Sequence, residues 1–200
     1  MAPPGSPLDP WFLLCAAGLA ASLSLHWLSV EHGRLRGRFG EENGRRIGDF
    51  LGYASGWGFF GFLAGMWFSP QPSFAGPDWA WQAGVLLLAV GAAVGLAGVK
   101  EVSLRVSETH RPSRVVSSGV YSFVRHPQYL AALLAHAGAS LLLSASYSLV
   151  ASPLVFTVVY AMCWKEEMEL VREFGAVYEE YRRRVPMLVP GPGDMSRWIR

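Results

Sequence analysis

Two short stretches of this sequence combine residue types that could do chemistry. Arg125-His126-Pro127-Gln128-Tyr129 brings a guanidinium, an imidazole, an amide and a phenol together, and Glu166-Glu167 follows about forty residues later. Ionisable groups gathered in this way are typical of sites that bind or activate a substrate. They equally suit a structural ion pair at a membrane boundary, in which Arg125 reaches the headgroups and Glu166 pairs with Arg125 or Lys165. The pattern alone leaves both interpretations open.

The elements that must position these residues are strongly apolar. Of the 200 residues, 52% are hydrophobic and only 16% are charged, whereas soluble domains carry about 25% charged residues. Five apolar stretches predict membrane-spanning helices, the first three long enough to cross about 30 Å of hydrocarbon: Trp11–Val30, Phe50–Phe68, Ala80–Val99, Tyr129–Leu143 and Leu149–Trp164. A soluble fold of this size could not hide all five. The sequence therefore predicts an all-α polytopic membrane protein that forms one domain over residues 1–200, with a three-helix scaffold over 11–99.

The placement of basic residues predicts the orientation of these spans. All 17 Lys and Arg residues fall between spans one and two, between spans three and four, or after span five. Because basic loops stay on the cytoplasmic side, we expect the N-terminus outside, the C-terminus in the cytoplasm and the polar stretches facing the cytoplasm. The formal net charge of +2 then needs no nucleic-acid partner.

The turn between spans four and five decides whether the two polar stretches meet. Ser144–Ser148 is too short for anything but an antiparallel helical hairpin. His126 stands 20 residues before Ser146 and Glu166 stands 20 residues after it, so both lie roughly 30 Å from the turn at 1.5 Å per residue. The spacing therefore predicts that they share one end of the hairpin, with Pro127 in the first turn of the fourth span.

Further patterns predict how the helices pack. Gly48, Gly52 and Gly56, followed by Gly61 and Gly65, indicate close packing of span two, and Gly91 and Gly95 indicate it for span three. We expect this packing to be within the chain rather than across a dimer interface. After span five, apolar residues at three- and four-residue spacing predict an amphipathic helix interrupted at Gly175, either a surface anchor or a lid over the site.

Other residues with possible chemistry have simpler interpretations. Cys15 and Cys163 lie inside predicted spans and imply no disulfide. His26 and His136 also lie inside spans, where packed or hydrogen-bonded histidines are expected. No spacing resembles a metal site, and the prolines Pro186, Pro190 and Pro192 indicate an irregular tail.

The segment from about Ser113 to Pro190 resembles the superfamily of isoprenylcysteine carboxyl methyltransferases and phospholipid methyltransferases, which are integral membrane enzymes. The resemblance rests on a pattern G-x-Y-x-x-x-R-H-P-x-Y and on a second pattern that starts at the paired glutamates. The matching residues are Gly119, Tyr121, Arg125, His126, Pro127, Tyr129, Glu166, Glu167, Leu170, Phe174, Gly175, Tyr178, Tyr181, Val185 and Pro186.

The resemblance implies that S-adenosyl-L-methionine binds at the cytoplasmic end of the last helices, over residues 113–190. Glu166 would hold the ammonium of the methionine moiety, and Arg125 and His126 would complete the catalytic site. The residues implied for the cofactor are Ser113, Arg114, Val115, Val116, Tyr121, His126, Pro127, Gln128, Tyr129 and Glu166. The resemblance also implies a lipophilic acceptor, which could be a lipid amine, a thiol or a prenylcysteine carboxylate.

Three positions depart from the family pattern. Ala131 replaces a common glycine, Met187 replaces a frequent arginine, and Met162 stands where the prenylcysteine enzymes carry an arginine for the substrate carboxyl. The last departure disfavours a carboxylate acceptor and leaves methyl transfer intact. Two other functions stay open at this point: a membrane reductase of the sterol or steroid type that uses NADPH, and a non-catalytic membrane scaffold.

Overall fold

A computed structural model describes residues 9–103 and 112–189 of the chain. These residues fold into eight α-helices and a 3-10 turn at Gly119–Ser122. The helices are α1 Pro10–Ser29, α2 His32–Phe39, α3 Glu41–Trp67, α4 Ala80–Val102, α5 Pro127–Leu142, α6 Ser146–Val150, α7 Ser152–Phe174 and α8 Ala176–Arg184. The predicted all-α fold is confirmed for this part of the chain. Some residues used for the predicted orientation and tail lie outside it: Arg105, Arg111, Pro190, Pro192, Arg197 and Arg200.

Local sequence explains where the helices of the site begin and end. Pro127 occupies the first turn of α5, where its missing N–H costs nothing. Gly175 separates α7 from α8 with φ +53° and ψ −131°, a backbone conformation that favours glycine. The predicted interruption at Gly175 is thus confirmed.

The bundle consists of two closely packed helix pairs. Helices α4 and α5 cross at Gly84 and Gly138. A Cβ atom added to Gly84 would lie 2.8 Å from the carbonyl oxygen of Gly138, and one added to Gly138 would lie 2.8 Å from that of Gly84. Gly91 in turn faces the Ala131 carbonyl. In the α1–α3 pair, Gly65 packs against Cys15. Intramolecular packing at Gly65, Gly91 and Gly95 is therefore confirmed.

Two glycines of α3 do not follow that prediction. A Cβ on Gly56 or Gly61 would meet nothing within 4 Å. Gly56 instead lines an internal cavity, so its small size leaves space rather than admitting a neighbouring helix.

The short α6 turns the chain, and α7 then returns through the core. Val155 and Val159 of α7 are completely buried with Leu19 of α1 and Leu63 of α3. By length and composition, two of the described helices, α1 and α4, could cross a membrane. The predicted number of five spans therefore remains a hypothesis.

Candidate active site

The hairpin formed by α5 and α7 brings the two polar stretches into contact. His126 Nδ1 lies 3.5 Å from Glu166 Oε2, and Tyr129 donates its hydroxyl to Glu166 Oε1. His126 Nε2 lies 3.3 Å from Glu167 Oε1. The predicted meeting of His126 and Glu166 is therefore confirmed, although the turn contains the additional helix α6.

Arg125 joins this cluster to the end of the chain. Its Nε donates to Glu167 Oε1 at 2.7 Å, and its Nη1 donates to the carbonyls of Arg182 and Val185, each at 2.6 Å. The backbone N–H groups of Arg125 and His126 donate to the carbonyls of Pro186 and Met187. Arg125 lines the cavity, but these contacts engage its guanidinium in holding the segment after α8.

The electrostatics of this cluster favour its fully charged form. Burial lowers the pKa of His126, but the hydrogen-bonding carboxylates of Glu166 and Glu167 outweigh it, and the pKa is raised overall. Burial raises the pKa of Glu167, but the contacts with His126 and Arg125 prevail, and the pKa is lowered overall. The two carboxylates thus favour the imidazolium form of His126.

A second histidine reaches Glu166 from the other side of the bundle. His26 of α1 is 1% exposed, and its Nε2 lies 3.3 Å from Glu166 Oε1. Its ring also lies edge-on to Tyr129, with 6.2 Å between the ring centroids. The sequence predicted only a packed or hydrogen-bonded histidine here, because 140 residues separate His26 from Glu166 and no local pattern connects them.

A buried lysine fixes the next turn of α7. Lys165 is 2% exposed, and its Nζ lies 3.2 Å from Glu31 and 2.8 Å from Glu169. The same nitrogen lies 5.3 Å from the centroid of the Trp27 ring. These contacts tie α7 to the corner between α1 and α2, so the backbone next to Glu166 is held from both sides.

The polar cluster lies in the wall of a cavity of about 570 Å³. Most residues that the resemblance assigns to the cofactor line it: Arg114, Val115, Val116, Tyr121, His126, Gln128, Tyr129 and Glu166. Pro127 does not line it and packs instead towards Gly98 of α4. Ser113 lines a neighbouring depression with Glu101 and Arg114.

The rest of the cavity lining is mostly apolar. Gly56 and Phe59 of α3, Leu88 of α4, and Ala131 and Met162 of the hairpin contribute to them. The two positions that depart from the family pattern in the hairpin thus face the same space.

Two aromatic residues of α8 close the cavity near the polar cluster. Tyr178 and Tyr181 line it, and the Tyr181 hydroxyl donates to the Tyr121 carbonyl at 2.7 Å. Tyr121 in turn donates its hydroxyl to Gln128 Oε1 at 3.2 Å. Burial raises the pKa of Tyr121, so this phenol stays protonated. The sequence predicted that the helix carrying Tyr178 and Tyr181 is either a surface anchor or a lid over the site. In the structure both tyrosines line the cavity.

Comparison with known proteins agrees with this arrangement. The family model for phospholipid methyltransferases matches residues 79–177, which contain α4, the hairpin and the polar cluster. Over these residues the chain is similar to that family of methyltransferases. Among curated proteins it is similar to methanethiol S-methyltransferase 2 of Bradyrhizobium diazoefficiens, with 45% identity over 71 residues, or 36% of this chain and 27% of the relative.

Two further relatives of the superfamily are similar over longer segments. Protein-S-isoprenylcysteine O-methyltransferase of Schizosaccharomyces pombe is 33% identical over 85 residues, which cover 42% of this chain and 36% of that protein. Methanethiol S-methyltransferase of Crocosphaera subtropica is 32% identical over 102 residues, which cover 50% and 39%. The matches thus span between 27% and 39% of the relatives' lengths. No solved structure matches the chain.

Proposed function

We propose that the chain is an integral membrane methyltransferase that transfers a methyl group from S-adenosyl-L-methionine to a lipophilic thiol. The observation that carries this proposal is the shape of the cavity, which joins the polar cluster around Glu166 to walls of apolar helices. A charged cofactor suits the polar end, and a lipophilic acceptor suits the apolar end. The names of the relatives favour methyl transfer over the reductase and scaffold alternatives.

The residues at the polar end fit this cofactor. The Glu166 carboxylate suits the ammonium of the methionine moiety, and Val115 and Val116 offer an apolar surface for the adenine. Tyr121 and Gln128 add a hydroxyl and an amide along the wall. The cofactor, when bound, supplies an electrophilic methyl group on its sulfonium.

The contribution of the protein is then mainly positioning. His126 and Arg125 hold the two carboxylates of α7 in place, and Tyr178 and Tyr181 cover the polar end and exclude water. Holding the reacting groups in a defined geometry can supply roughly 7–11 kcal/mol of the barrier reduction. Under this proposal Arg125 is a positioning residue, because its guanidinium contacts Glu167 and backbone carbonyls.

A thiol acceptor fits the cavity better than a carboxylate. Met162 is 2% exposed and lines the cavity at the position where the family resemblance implies a substrate-binding arginine in the prenylcysteine enzymes. A carboxylate brought to this apolar wall would lose its hydration without gaining a cation. Two of the three similar proteins bear names that specify methylation of a thiol.

The proposed protein spans the membrane five times, through α1, α3, α4, α5 and α7, with the N-terminus outside and the polar cluster at the cytoplasmic side. The basic residues of α2 and α8 support this orientation. Single cysteines at Gly37 and Ala75, in a background without Cys15 and Cys163, test it with a membrane-impermeant maleimide on sealed right-side-out vesicles. Labelling at Ala75 alone is expected, and labelling at Gly37 alone would reverse the orientation.

Binding of the cofactor is tested by isothermal titration with S-adenosylhomocysteine and S-adenosylmethionine. We expect wild-type protein to bind both, and Glu166→Gln to weaken binding by about 10-fold to 100-fold, because hydrogen bonds to charged groups contribute about 1.5–3 kcal/mol. Glu180→Gln is the matched control, since Glu180 is 51% exposed and pairs, in the described part of the chain, with Arg183 and Arg184 of its own helix. Wild-type protein that binds neither compound would refute the proposal, as would a Glu166→Gln variant with unchanged affinity.

A further inference from the structure

The cavity continues beyond the polar cluster as an apolar arm. On α5, Tyr129 contacts Glu166 in the polar cluster, and Ala132 and Ala135 line the cavity further along the helix. On α4, Leu88 is the first residue that lines it. The apolar arm is the part of the cavity between Tyr129 and these residues. Resting on the proposed function, the reacting thiol lies at the polar cluster, and the remainder of the acceptor therefore lies in this arm.

Contacts between α4 and α5 give the depth of the apolar arm. The two helices pack side by side, and a Cβ on Gly138 would lie 3.0 Å from Leu88 Cγ. Leu88 is therefore level with Gly138, which follows Tyr129 by nine residues, or about 13 Å at about 1.5 Å per residue. Ala135 follows Tyr129 by six residues, or about 9 Å. The arm is thus about 9–13 Å deep.

Helix contacts close the deep end of the apolar arm. Gly84 of α4 and Gly138 of α5 touch there, since a Cβ on either would lie 2.8 Å from the carbonyl oxygen of the other. One residue beyond Ala135, His136 Nδ1 accepts a hydrogen bond of 3.1 Å from Trp67 Nε1 of α3. His136 thereby joins α3 to α5 at this end. A chain that enters the arm from the polar cluster therefore reaches a closed end.

We propose that the apolar arm selects the acceptor by its length and fits an alkyl thiol with a chain of about eight carbons. An extended chain of single bonds advances roughly 1.2 Å per bond, one third of the span of a residue. A depth of about 9–13 Å therefore accommodates about seven to eleven bonds. Each methylene group that the arm buries is expected to raise kcat/KM about fourfold, whereas methylene groups beyond the closed end gain nothing.

Leu88 and Ala135 are the residues that set this length. Leu88 occupies the end of the arm from α4, so Leu88→Ala should lengthen the arm. Ala135 lines the arm from α5, so the larger side chain of Ala135→Leu should shorten it. The two variants are therefore expected to change the preferred chain length in opposite directions. A general loss of packing would instead lower activity on every thiol alike.

A series of thiols measured with wild-type protein tests the length limit. Ethanethiol, octanethiol and hexadecanethiol are assayed in one detergent, with each concentration corrected for the fraction dissolved in the micelles. We expect kcat/KM for octanethiol to exceed that for each of the other two by about tenfold or more. Equal values for octanethiol and hexadecanethiol would show that the chain leaves the cavity sideways, and equal values for ethanethiol and octanethiol would show that the arm binds no chain. Either result overturns the proposal.

The two variants test the residues at the closed end. In Leu88→Ala, the ratio of kcat/KM for dodecanethiol to that for octanethiol should rise about fivefold or more, because each newly buried methylene contributes about fourfold. In Ala135→Leu, kcat/KM for octanethiol should fall about tenfold, and that for ethanethiol should change less than about threefold. Leu86→Ala is the matched control, since Leu86 of α4 is 63% exposed and does not line the cavity. An unchanged ratio in Leu88→Ala, or equal losses on both thiols in Ala135→Leu, refutes the proposal.

A thermal-shift measurement provides a readout that does not depend on turnover. Octan-1-ol, which has the same chain without the thiol, is added at equal free concentration to the complexes of wild type and Ala135→Leu with S-adenosylhomocysteine. The Tm of the wild-type complex should rise, and that of the variant complex should not; an equal rise in both contradicts the proposal. If Ala135→Leu does not fold, the thiol series on wild type and Leu88→Ala still decides.

Failure of the proposed function gives a different result. Wild-type protein would then bind no S-adenosylhomocysteine, or would methylate none of the thiols. Failure of length selection alone leaves cofactor binding and methylation intact and removes only the dependence on chain length.

Discussion

At the scale of single residues, the ion cluster of His126, Glu167 and Arg125 predicts how stability depends on pH. The pKa of His126 is raised above its ordinary value of 6.5, so its contribution is complete below pH 6.5 and is lost as the pH rises through the folded-state pKa. The pKa of Glu167 is lowered from 4.5, so its contribution is complete above pH 4.5 and is lost as the pH falls through its folded-state pKa. Stability from this pair should therefore be greatest between about pH 4.5 and 6.5.

Thermal unfolding in detergent between pH 4 and pH 9 checks this expectation. The wild-type Tm should decline as the pH rises above 6.5, and His126→Gln should remove that alkaline decline while lowering the Tm at pH 6. Arg183→Gln is a control, because Arg183 is 71% exposed and pairs with Glu180, which is itself 51% exposed. An alkaline decline that persists in His126→Gln would assign it to another group.

Part of this residue-scale organisation follows from the sequence, and part does not. The contact of His126 with Glu166 follows from equal distances to one turn, because helix rise is constant. The position of His26 does not, since it depends on how α1 packs against α7. The sequence pattern also does not predict which contacts Glu166 makes and which Glu167 makes, because the side on which each carboxylate lies depends on the rotation of α7.

At the scale of elements, the junction of α7 and α8 predicts that replacing Gly175 lowers stability through its backbone conformation alone. Gly175 has φ +53°, and an added Cβ would meet nothing within 4 Å. Gly175→Ala should therefore cost about 1–3 kcal/mol through backbone strain, without a clash. Gly37→Ala in α2 is the matched control, since its Cβ also enters open space and alanine is favoured by up to about 1 kcal/mol within a helix.

The free energy of unfolding of both variants, measured by denaturant titration in detergent, separates strain from packing. A Gly175→Ala variant as stable as Gly37→Ala would contradict the strained junction. The glycine at this junction was visible in the sequence as an interruption of an amphipathic pattern. The short helix α6 was not, because five residues between two apolar runs carry too little periodicity to distinguish a turn from a helix.

At the scale of the whole molecule, the cavity opens between the two helix pairs. Trp57 and Phe60 of α3 line it and are 66% and 50% exposed, and Ala92 of α4 lines it and is exposed as well. These exposed lining residues indicate an apolar opening between the α1–α3 pair and the α4–α5 pair. Under the proposed function, an acceptor dissolved in the bilayer would enter here, and the cofactor would reach the polar end from the cytoplasm.

The sequence anticipated a site at the boundary between membrane and cytoplasm, but not this opening. Glycines at four-residue spacing indicate close helix packing, and that is their role at Gly91 and Gly95. At Gly56 the same residue type keeps the cavity open. A sequence pattern does not separate these two uses, because the difference lies in whether another helix faces the glycine.

This difference predicts a selective effect on acceptor size. Gly56→Leu should fill part of the cavity, and its Cβ enters open space because no atom lies within 4 Å of that position. We expect kcat/KM for a long-chain alkyl thiol to fall at least tenfold, corresponding to about 1.4 kcal/mol, whereas that for a short thiol and the affinity for S-adenosylhomocysteine should change less than threefold. Gly61→Leu is the matched control on the same helix, since it has equal open space but does not line the cavity. Equal effects of Gly56→Leu and Gly61→Leu on the long-chain thiol would show that the acceptor does not pass this wall.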